Sequence, residues 1–468
     1  MSSMVTMQEP GLSEWGRGSG QMRAVVDAAT GVEIGRVRLA SAADVEAAGG
    51  FRERALVLER AAAALERLAP DIERLSQRET GATLTKVRRE MAKTADQFRA
   101  AIALLEQPIG SLLPDETPGR LSFARRVPVG VVGVIAPWNA PLMLAMRSIL
   151  PALALGNAVL VKPDVKTPIT GGVLIARIFE AAGLPEGVLG ILPGGPEIGE
   201  AVVASPHTDL ISFTGSSAAG RKVGAVAGGM LKKVILELGG NNAFIVLPDA
   251  DLDDAVAQAV RGSYSHQGQI CMATGRHLVH ESVADEYVRR LVAHAAAQRV
   301  GDPADPQTTL GPLIDVRQAE RVQDVVDRAV AAGARVLTGG RHSGQFFEPT
   351  VLDGVEPGNP AFEAEIFGPV LPVTRFSTDE QAVAIANASD YGLCAAIHTA
   401  DLDRALAIAG RLRTGMVHVN GQTVTDYAWA PMGGMGRSGN GGRFGGHWSL
   451  EEFTTTQWVT ARSAGSTP

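Results

Sequence analysis

Apolar positions along the chain change period twice, and each change predicts a change of architecture. Val87, Met91, Ala95, Phe98, Ile102 and Leu105 recur at helical spacing, which predicts a helix from about residue 86 to 107 with one face on a core. Pro108, Gly110, Pro114, Pro118 and Gly119 end it and begin a linker. Leu121, Phe123, Arg125 and Val127 then alternate with smaller or charged neighbours, the mark of a strand that stops at Pro128. Beyond it, strand-like runs at 131–136, 158–161, 188–192, 210–213 and 233–238 are separated by helical stretches such as 169–182 and 217–227. Such alternation implies a parallel sheet with helices on both faces, an architecture that binds dinucleotides at the carboxyl ends of its strands. A second α/β series follows Gly239-Gly240, with strands near 243–247, 276–280, 335–337, 371–376 and 416–419. Residues 433–446 carry eight glycines, read as a mobile or tightly turning loop, and 453–459 is rich in β-formers. The first forty-odd residues are Gly- and Ser-rich with short β-like runs and receive no function.

A chain of 468 residues exceeds one ordinary core, so two large domains and a smaller third element are expected. Hydrophobic residues at 45%, aromatics at 5% and 54 glycines suit an Ala/Val/Leu-packed α/β enzyme better than an all-β sandwich. The net charge of -7 is spread out, with no basic run to track a phosphate backbone, so no nucleic-acid partner is expected. No apolar stretch is long enough to span a membrane, and residues 1–10 lack the basic and apolar regions of a signal peptide, so no membrane partner is expected and the default location is cytoplasmic. The two cysteines, Cys271 and Cys394, make neither a disulfide framework nor a zinc spacing, so no metal is expected and a reducing compartment fits.

Cys394 reads as a small hydrophobe inside a strand, whereas Cys271 lies in the Gly-bearing turn Gln267-Gly268-Gln269-Ile270-Cys271-Met272 and is the candidate nucleophile. A thiol attacks as its thiolate, so it needs an activating partner and something to hold the electrophile. Two prolines in Ile135-Ala136-Pro137-Trp138-Asn139-Ala140-Pro141 present Asn139 rigidly at a strand end, where its amide can donate to a developing oxyanion; the plainer reading is a turn with Asn as a cap. Leu236-Glu237-Leu238-Gly239-Gly240 puts a lone carboxylate at the end of an apolar strand. Burial there would raise its pKa into the range of a useful base, the alternative being an edge residue facing water. Phe213-Thr214-Gly215-Ser216-Ser217 joins a strand to a helix whose start can meet a phosphate, although its spacing is not G-x-G-x-x-G. Lys162 follows a strand and can reach a ribose or phosphate, or simply be solvated. Glu365-Ile366-Phe367-Gly368-Pro369-Val370 offers a carboxylate for ribose hydroxyls and an aromatic to lie on a ring, or a satisfied turn before a strand. His266, five positions before Cys271, invites a Cys/His hydrolase reading, but no supporting Asn or Asp accompanies it.

The order and spacing of P-W-N, K-P, F-T-G-S, E-L-G-G, G-Q-x-C and E-x-F-G-P-V resemble the aldehyde dehydrogenase superfamily, from about residue 20 to 462. Within it, residues 266–272, 415–420 and 450–458 look most like the benzaldehyde and vanillin dehydrogenase branch. The resemblance implies an α/β fold with a Rossmann-type nucleotide-binding domain (1–109 and 129–239), a second α/β catalytic domain (240–447) and a β-strand oligomerisation arm (110–128 and 448–468). It implies that Cys271 attacks the aldehyde to give a thiohemiacetal, that the Asn139 amide and the Cys271 N–H hold the oxyanion, and that hydride passes to nicotinamide. Glu237 would then activate the water that hydrolyses the thioester. Lys162 is placed in both the catalytic and the cofactor sets, on the adenosine ribose. Ser216, Gly215 and Phe213 would meet the pyrophosphate, Glu365 the nicotinamide ribose and Phe367 the nicotinamide side, with Ile135, Pro137, Trp138, Val165 and Leu238 completing the cofactor wall. The substrate would be an aromatic or hydrophobic aldehyde, and the two arm strands would find their partner edge in a homodimer or homotetramer.

Two departures stand out. Val165 occupies the place where many NAD-preferring members carry a glutamate that repels a 2′-phosphate, and Lys166 could add attraction, so NAD is expected with NADP tolerated. Ala140 and Arg147 replace bulkier aromatics of some relatives, so pocket shape does not carry over. A CoA-acylating enzyme is the alternative within enzymes, opposed by Glu237, whose water activation would waste the acyl group. A catalytically idle binding member is opposed by the joint presence of Cys271, Glu237 and Asn139.

Overall fold

The computed structural model describes residues 50–462 and, by their backbone, the antiparallel strands Met22–Val26 and Glu33–Arg38; the rest of the Gly- and Ser-rich N-terminal run lies outside the described residues. Val131–Ile135, Ala158–Lys162, Leu189–Ile191, Leu210–Thr214 and Lys233–Glu237 form a five-stranded sheet in which every pairing is parallel. Its spatial order runs third, second, first, fourth, fifth in chain order, so the sheet grows in opposite directions on the two sides of Val131–Ile135. A crevice opens beyond the carboxyl ends at such a reversal. Side chains alternate across the sheet: Val132, Val134, Val159 and Val161 join a core with the N-terminal helices, while Leu160, Ile211 and Phe213 join another on the far face.

The seven-stranded sheet has the order Arg335–Thr338, Thr350–Asp353, Val370–Phe376, Thr274–His280, Asn242–Val246, Cys394–His398, Met416–Val419. It is parallel except for its first pair. Phe244 and Val246 face one core and Ala243 and Ile245 the other. Thr350–Asp353 was not anticipated, because a strand of four residues is too short to display a period.

The helix expected over 86–107 spans Leu84–Leu104, capped by the Thr83 hydroxyl, which accepts from the Lys86 N–H at 3.4 Å. Its buried face shares Val87 and Phe98 with the expected one but is rotated from it. Val87, Glu90, Thr94, Phe98, Ala101 and Leu104 are buried, whereas Met91, Ala95, Ile102 and Leu105 are only partly covered. The rotation follows from Glu90, which is drawn inside by Lys86 Nζ at 2.5 Å and by the Met143 N–H at 3.2 Å.

Pro141–Ala154 crosses the interior with every residue buried, consistent with its all-round apolar sequence, yet it carries Arg147 and Ser148 inside. Ser148 shares a 2.8 Å hydrogen bond with Ser212.

The two arm strands pair with each other rather than waiting for a partner's edge: Leu121–Pro128 and Thr454–Ala461 run antiparallel over eight registered positions, with Gly110–Leu112 on the far side. One long edge remains, that of Thr454–Ala461. The glycine-rich stretch is a tight turn latched to the first sheet: the Asn440 side chain accepts from Leu236 N–H at 2.9 Å and donates to the Val234 carbonyl at 2.7 Å. A Cβ on Gly439 would lie 2.7 Å from the Leu236 carbonyl, so glycine permits the contact.

Candidate active site between the two sheets

The chain leaves the helix Leu252–Tyr264 through a left-handed turn, with φ of 50° at His266, 57° at Gln267 and 74° at Gly268. Non-glycine residues adopt this conformation only where the surroundings compel it. Here Gln267 Nε2 donates to the Gly81 and Pro312 carbonyls at 3.1 and 2.7 Å, and Gln269 Oε1 accepts from the Ile314 N–H at 2.9 Å. A Cβ on Gly268 would lie 2.2 Å from the Gly368 carbonyl, so no side chain fits there. Cys271 follows, its carbonyl accepting from Asn242 Nδ2 at 2.9 Å; a Cβ on Gly240 would strike that same carbonyl at 2.3 Å. The second glycine of E-L-G-G is therefore what lets the Glu237 strand approach the thiol loop.

Asn139 reaches the same loop from the other sheet, donating through Nδ2 to the Gln269 carbonyl at 2.8 Å. Its own carbonyl accepts from Lys86 Nζ at 2.8 Å. Glu237 ends its strand and is 1% exposed; among the described residues no N–H or O–H donor reaches its carboxylate oxygens, and the Cys271 thiol is the side chain that lies against them. Burial pushes its pKa up to about 7, against the pull of the Arg147 charge. Burial also pushes the Cys271 thiol well above its usual range, and the Glu237 charge adds to this. The pair is thus arranged as a protonated thiol beside a carboxyl that titrates near neutrality, a base matched to neutral pH.

On one side of this pair lies the crevice at the sheet reversal. Ser216 caps the helix Ser217–Gly229, its hydroxyl accepting from the Ala219 N–H at 3.3 Å, and leaves the helix N-terminus facing outward as an anion site. Gly215 has no room for a side chain beside the Phe213 ring, 2.7 Å from an added Cβ, and Gly220 none beside Leu238. Lys162 is buried at the neighbouring strand end, and burial lowers its pKa. Ile135 ends the strand beside it. Trp138 and Phe367 meet edge-on at 5.5 Å across the crevice, and Phe367 holds a positive φ of 55°. Glu365 accepts from the Gly240 N–H at 2.9 Å, and burial raises its carboxyl to about 7. Val165 is 54% exposed. Lys166 is not free beside it, as the sequence reading allowed: its ammonium pairs with Asp315 at 2.8 Å and stands 5.3 Å over the Trp138 ring.

On the other side a cavity of about 400 Å³ runs to Cys271 and Asn139, within the size range of small-molecule sites. Ala140, Met143, Leu144, Ile270 and Val424 supply apolar wall, and Lys86, Arg89, Glu90, Lys93, Arg147 and Arg261 supply charge. Sequence reasoning missed most of this wall. Asp426, behind it, accepts from both Lys93 and Arg147, and Arg147 also donates to the Met432 sulfur at 3.1 Å. Burial alone would raise the Asp426 carboxyl; the Arg147 and Lys93 charges more than offset it and hold it below the usual carboxylate range. The one available signal was Arg147 itself, a cation inside an otherwise apolar helix. His266 lines the cavity, but among the described residues both buried ring nitrogens lack partners, and burial together with Lys86 keeps the ring neutral. It makes no bond to the thiol, so the Cys/His hydrolase reading fails. Cys394 donates to the Thr423 carbonyl at 3.3 Å inside the core, and both cysteines are free.

The profile of the aldehyde dehydrogenase family matches residues 15–459. The chain belongs to the aldehyde dehydrogenase family. Relatives within that family include the benzaldehyde dehydrogenase [NAD(+)] of Pseudomonas putida, 49% identical with 96% of this chain and 95% of that protein covered. The vanillin dehydrogenase of Amycolatopsis sp. is 50% identical over the same shares. Among solved family structures, the betaine aldehyde dehydrogenase of Staphylococcus aureus with NAD+ superposes with a TM-score of 0.86 at 30% identity, covering 96% of this chain and 92% of that one. Among the described residues no helix is long and apolar enough to cross a membrane, and no cluster of His, Cys, Asp and Glu could hold a metal ion.

Proposed function

We propose that this family member oxidises an aromatic or other hydrophobic aldehyde to its carboxylic acid with NAD. The observation that carries the reading is the meeting of Cys271, Asn139 and Glu237 between an apolar-walled cavity and a nucleotide crevice. The names of the benzaldehyde and vanillin relatives favour an aromatic substrate.

In this reading the Cys271 thiol loses its proton to solvent and attacks the aldehyde carbon as its thiolate. The second N–H of the Asn139 amide, whose first is held by Gln269, and the Cys271 backbone N–H receive the oxyanion. The crevice fits a dinucleotide: an exposed helix N-terminus at Ser216, glycine at 215 where a side chain would collide, and a buried lysine at 162. Lys162, Ser216, Glu365, Phe367 and Trp138 would hold it, with Ile135, Pro137, Val165, Phe213, Gly215 and Leu238 around them. When bound, the nicotinamide supplies the hydride acceptor. Glu237 then serves the second half, taking a proton from the water that releases the acid. Lys162 is a binding residue here, held in place by its strand.

We place the nucleotide-binding domain at 1–109 and 129–239, the catalytic domain at 240–447 and the arm at 110–128 and 448–468. The remaining Thr454–Ala461 edge suits a homodimer or homotetramer, and two free thiols suit the cytoplasm. A panel of aromatic, terpenoid and aliphatic aldehydes assayed for NADH and NADPH formation tests the proposal. Aromatic aldehydes with NAD should lead, and Cys271→Ala should abolish turnover. Retained turnover in that variant would mean another nucleophile.

A further inference from the structure

The cavity wall holds five basic side chains, Lys86, Arg89, Lys93, Arg147 and Arg261, against a single acid, Glu90, in a chain whose net charge is -7. Three of the five are neutralised. Lys86 pairs with Glu90 at 2.5 Å, and Lys93 and Arg147 share Asp426. Arg89 and Arg261 are different. Among the described residues neither guanidinium has an ion pair or donates a hydrogen bond, and both line the same cavity, near enough for the Arg261 charge to act on Arg89. They come from separate helices, Leu84–Leu104 and Leu252–Tyr264, and both side chains are exposed where the cavity meets solvent. Arg88, the neighbour of Arg89, forks onto Glu73, so this helix places a cation against an acid where it has one.

A cation in the last turn of a helix is favoured by the helix dipole, which accounts for Arg261. It does not account for a second unpaired arginine brought beside it at the mouth of the substrate cavity. Two like charges set together repel, and an anion between them converts that repulsion into two charge-assisted, fork-shaped contacts. We propose that Arg89 and Arg261 form an anion-binding mouth that favours aldehydes bearing a carboxylate at the end opposite the reacting carbonyl, a carboxylated aromatic aldehyde being the fitting class. The inference rests on the cavity being the substrate channel, as in the function proposed above. Cys271 and both arginines line this one cavity of about 400 Å³, which has the volume of a small-molecule site. Arg89 and Arg261 touch the far end of the substrate only, so their contribution is to binding.

The test compares kcat/KM for benzaldehyde, 4-carboxybenzaldehyde and the longer 4-carboxycinnamaldehyde in the full-length enzyme and in Arg89→Gln, Arg261→Gln and the double variant, at low and high salt. The native enzyme should prefer at least one carboxylated aldehyde over benzaldehyde, and the double variant should lower that preference roughly tenfold, through KM rather than kcat. High salt should reduce the native preference in the same direction, because exposed charges are screened. Equal preference in native and double-variant enzymes, or no preference for either carboxylated aldehyde, overturns the proposal. A native enzyme that oxidises none of the three aldehydes overturns instead the substrate assignment on which it rests.

Discussion

The two sides of Cys271 are built by different means. On the proposed nucleotide side most groups come from backbone or strand ends, Gly215 and Ser216 after Leu210–Thr214 and Lys162 at the end of its strand, with Glu365 fixed on the Gly240 N–H. On the substrate side an apolar wall is interrupted by long charged side chains from helix faces, two of which are paired over great sequence distances. Lys93 and Arg147 converge on Asp426, 333 and 279 positions away. The first side needs the sheet to place it. The second needs the packing of particular helices, because a buried carboxylate with two cations is stable only when all three arrive together.

Glu237 stands at the junction, and its removal should have the largest effect. Glu237→Gln should leave a first-turnover burst of reduced cofactor but slow steady turnover by about 100-fold, the usual scale of a lost general base. Because the carboxyl is raised to about 7, it is protonated below that pH and an active base above it. Native steady-state turnover should therefore rise with pH through an inflection near 7, and the variant should lack that inflection. An unchanged steady rate would remove Glu237 from deacylation.

The substrate side should break next. Asp426→Asn would leave Lys93 and Arg147 facing each other across a site whose carboxylate was 7% exposed, at a cost of about 3 kcal/mol in chemical denaturation. A cost below ~1 kcal/mol would mean that the trio is a solvated surface cluster. The nucleotide side should respond least, since Val165 is largely exposed and its neighbour Lys166 is already committed to Asp315. Val165→Glu should raise the KM for NADP relative to NAD roughly fivefold, the scale of an exposed like-charge contact. An unchanged ratio would place the reading of the adenosine ribose elsewhere.

The same contrast explains which parts were legible in the sequence. Strands such as Val131–Ile135 and Lys233–Glu237 were evident because a doubly covered parallel strand is a continuous apolar run ended by turn residues. The helix over Leu84–Leu104 was located, and Val87 and Phe98 lie on its buried face as expected, but Met91, Ala95, Ile102 and Leu105 are only partly covered, because apolarity cannot announce a glutamate that packing draws inward. The arm strands were recognised as strands needing an edge, while their pairing across more than 300 positions was hidden, since nothing local specifies a partner.

Sequence alone nominated the reacting groups of the proposed function. A lone turn cysteine, a carboxylate ending an apolar strand and an asparagine between prolines are local features, and their order along the chain is enough to recognise the family they serve. Tertiary structure decided everything that depends on where long side chains end. It bent His266 and Gln267 into a left-handed turn through the Gln267 and Gln269 contacts, buried Glu237 so that it titrates near neutrality, and brought Arg89 and Arg261 to the cavity mouth with no ion-pair partner among the described residues. The physical reason is that backbone chemistry is fixed within a few residues, whereas charge, burial and strain are set by neighbours that the chain brings from far away.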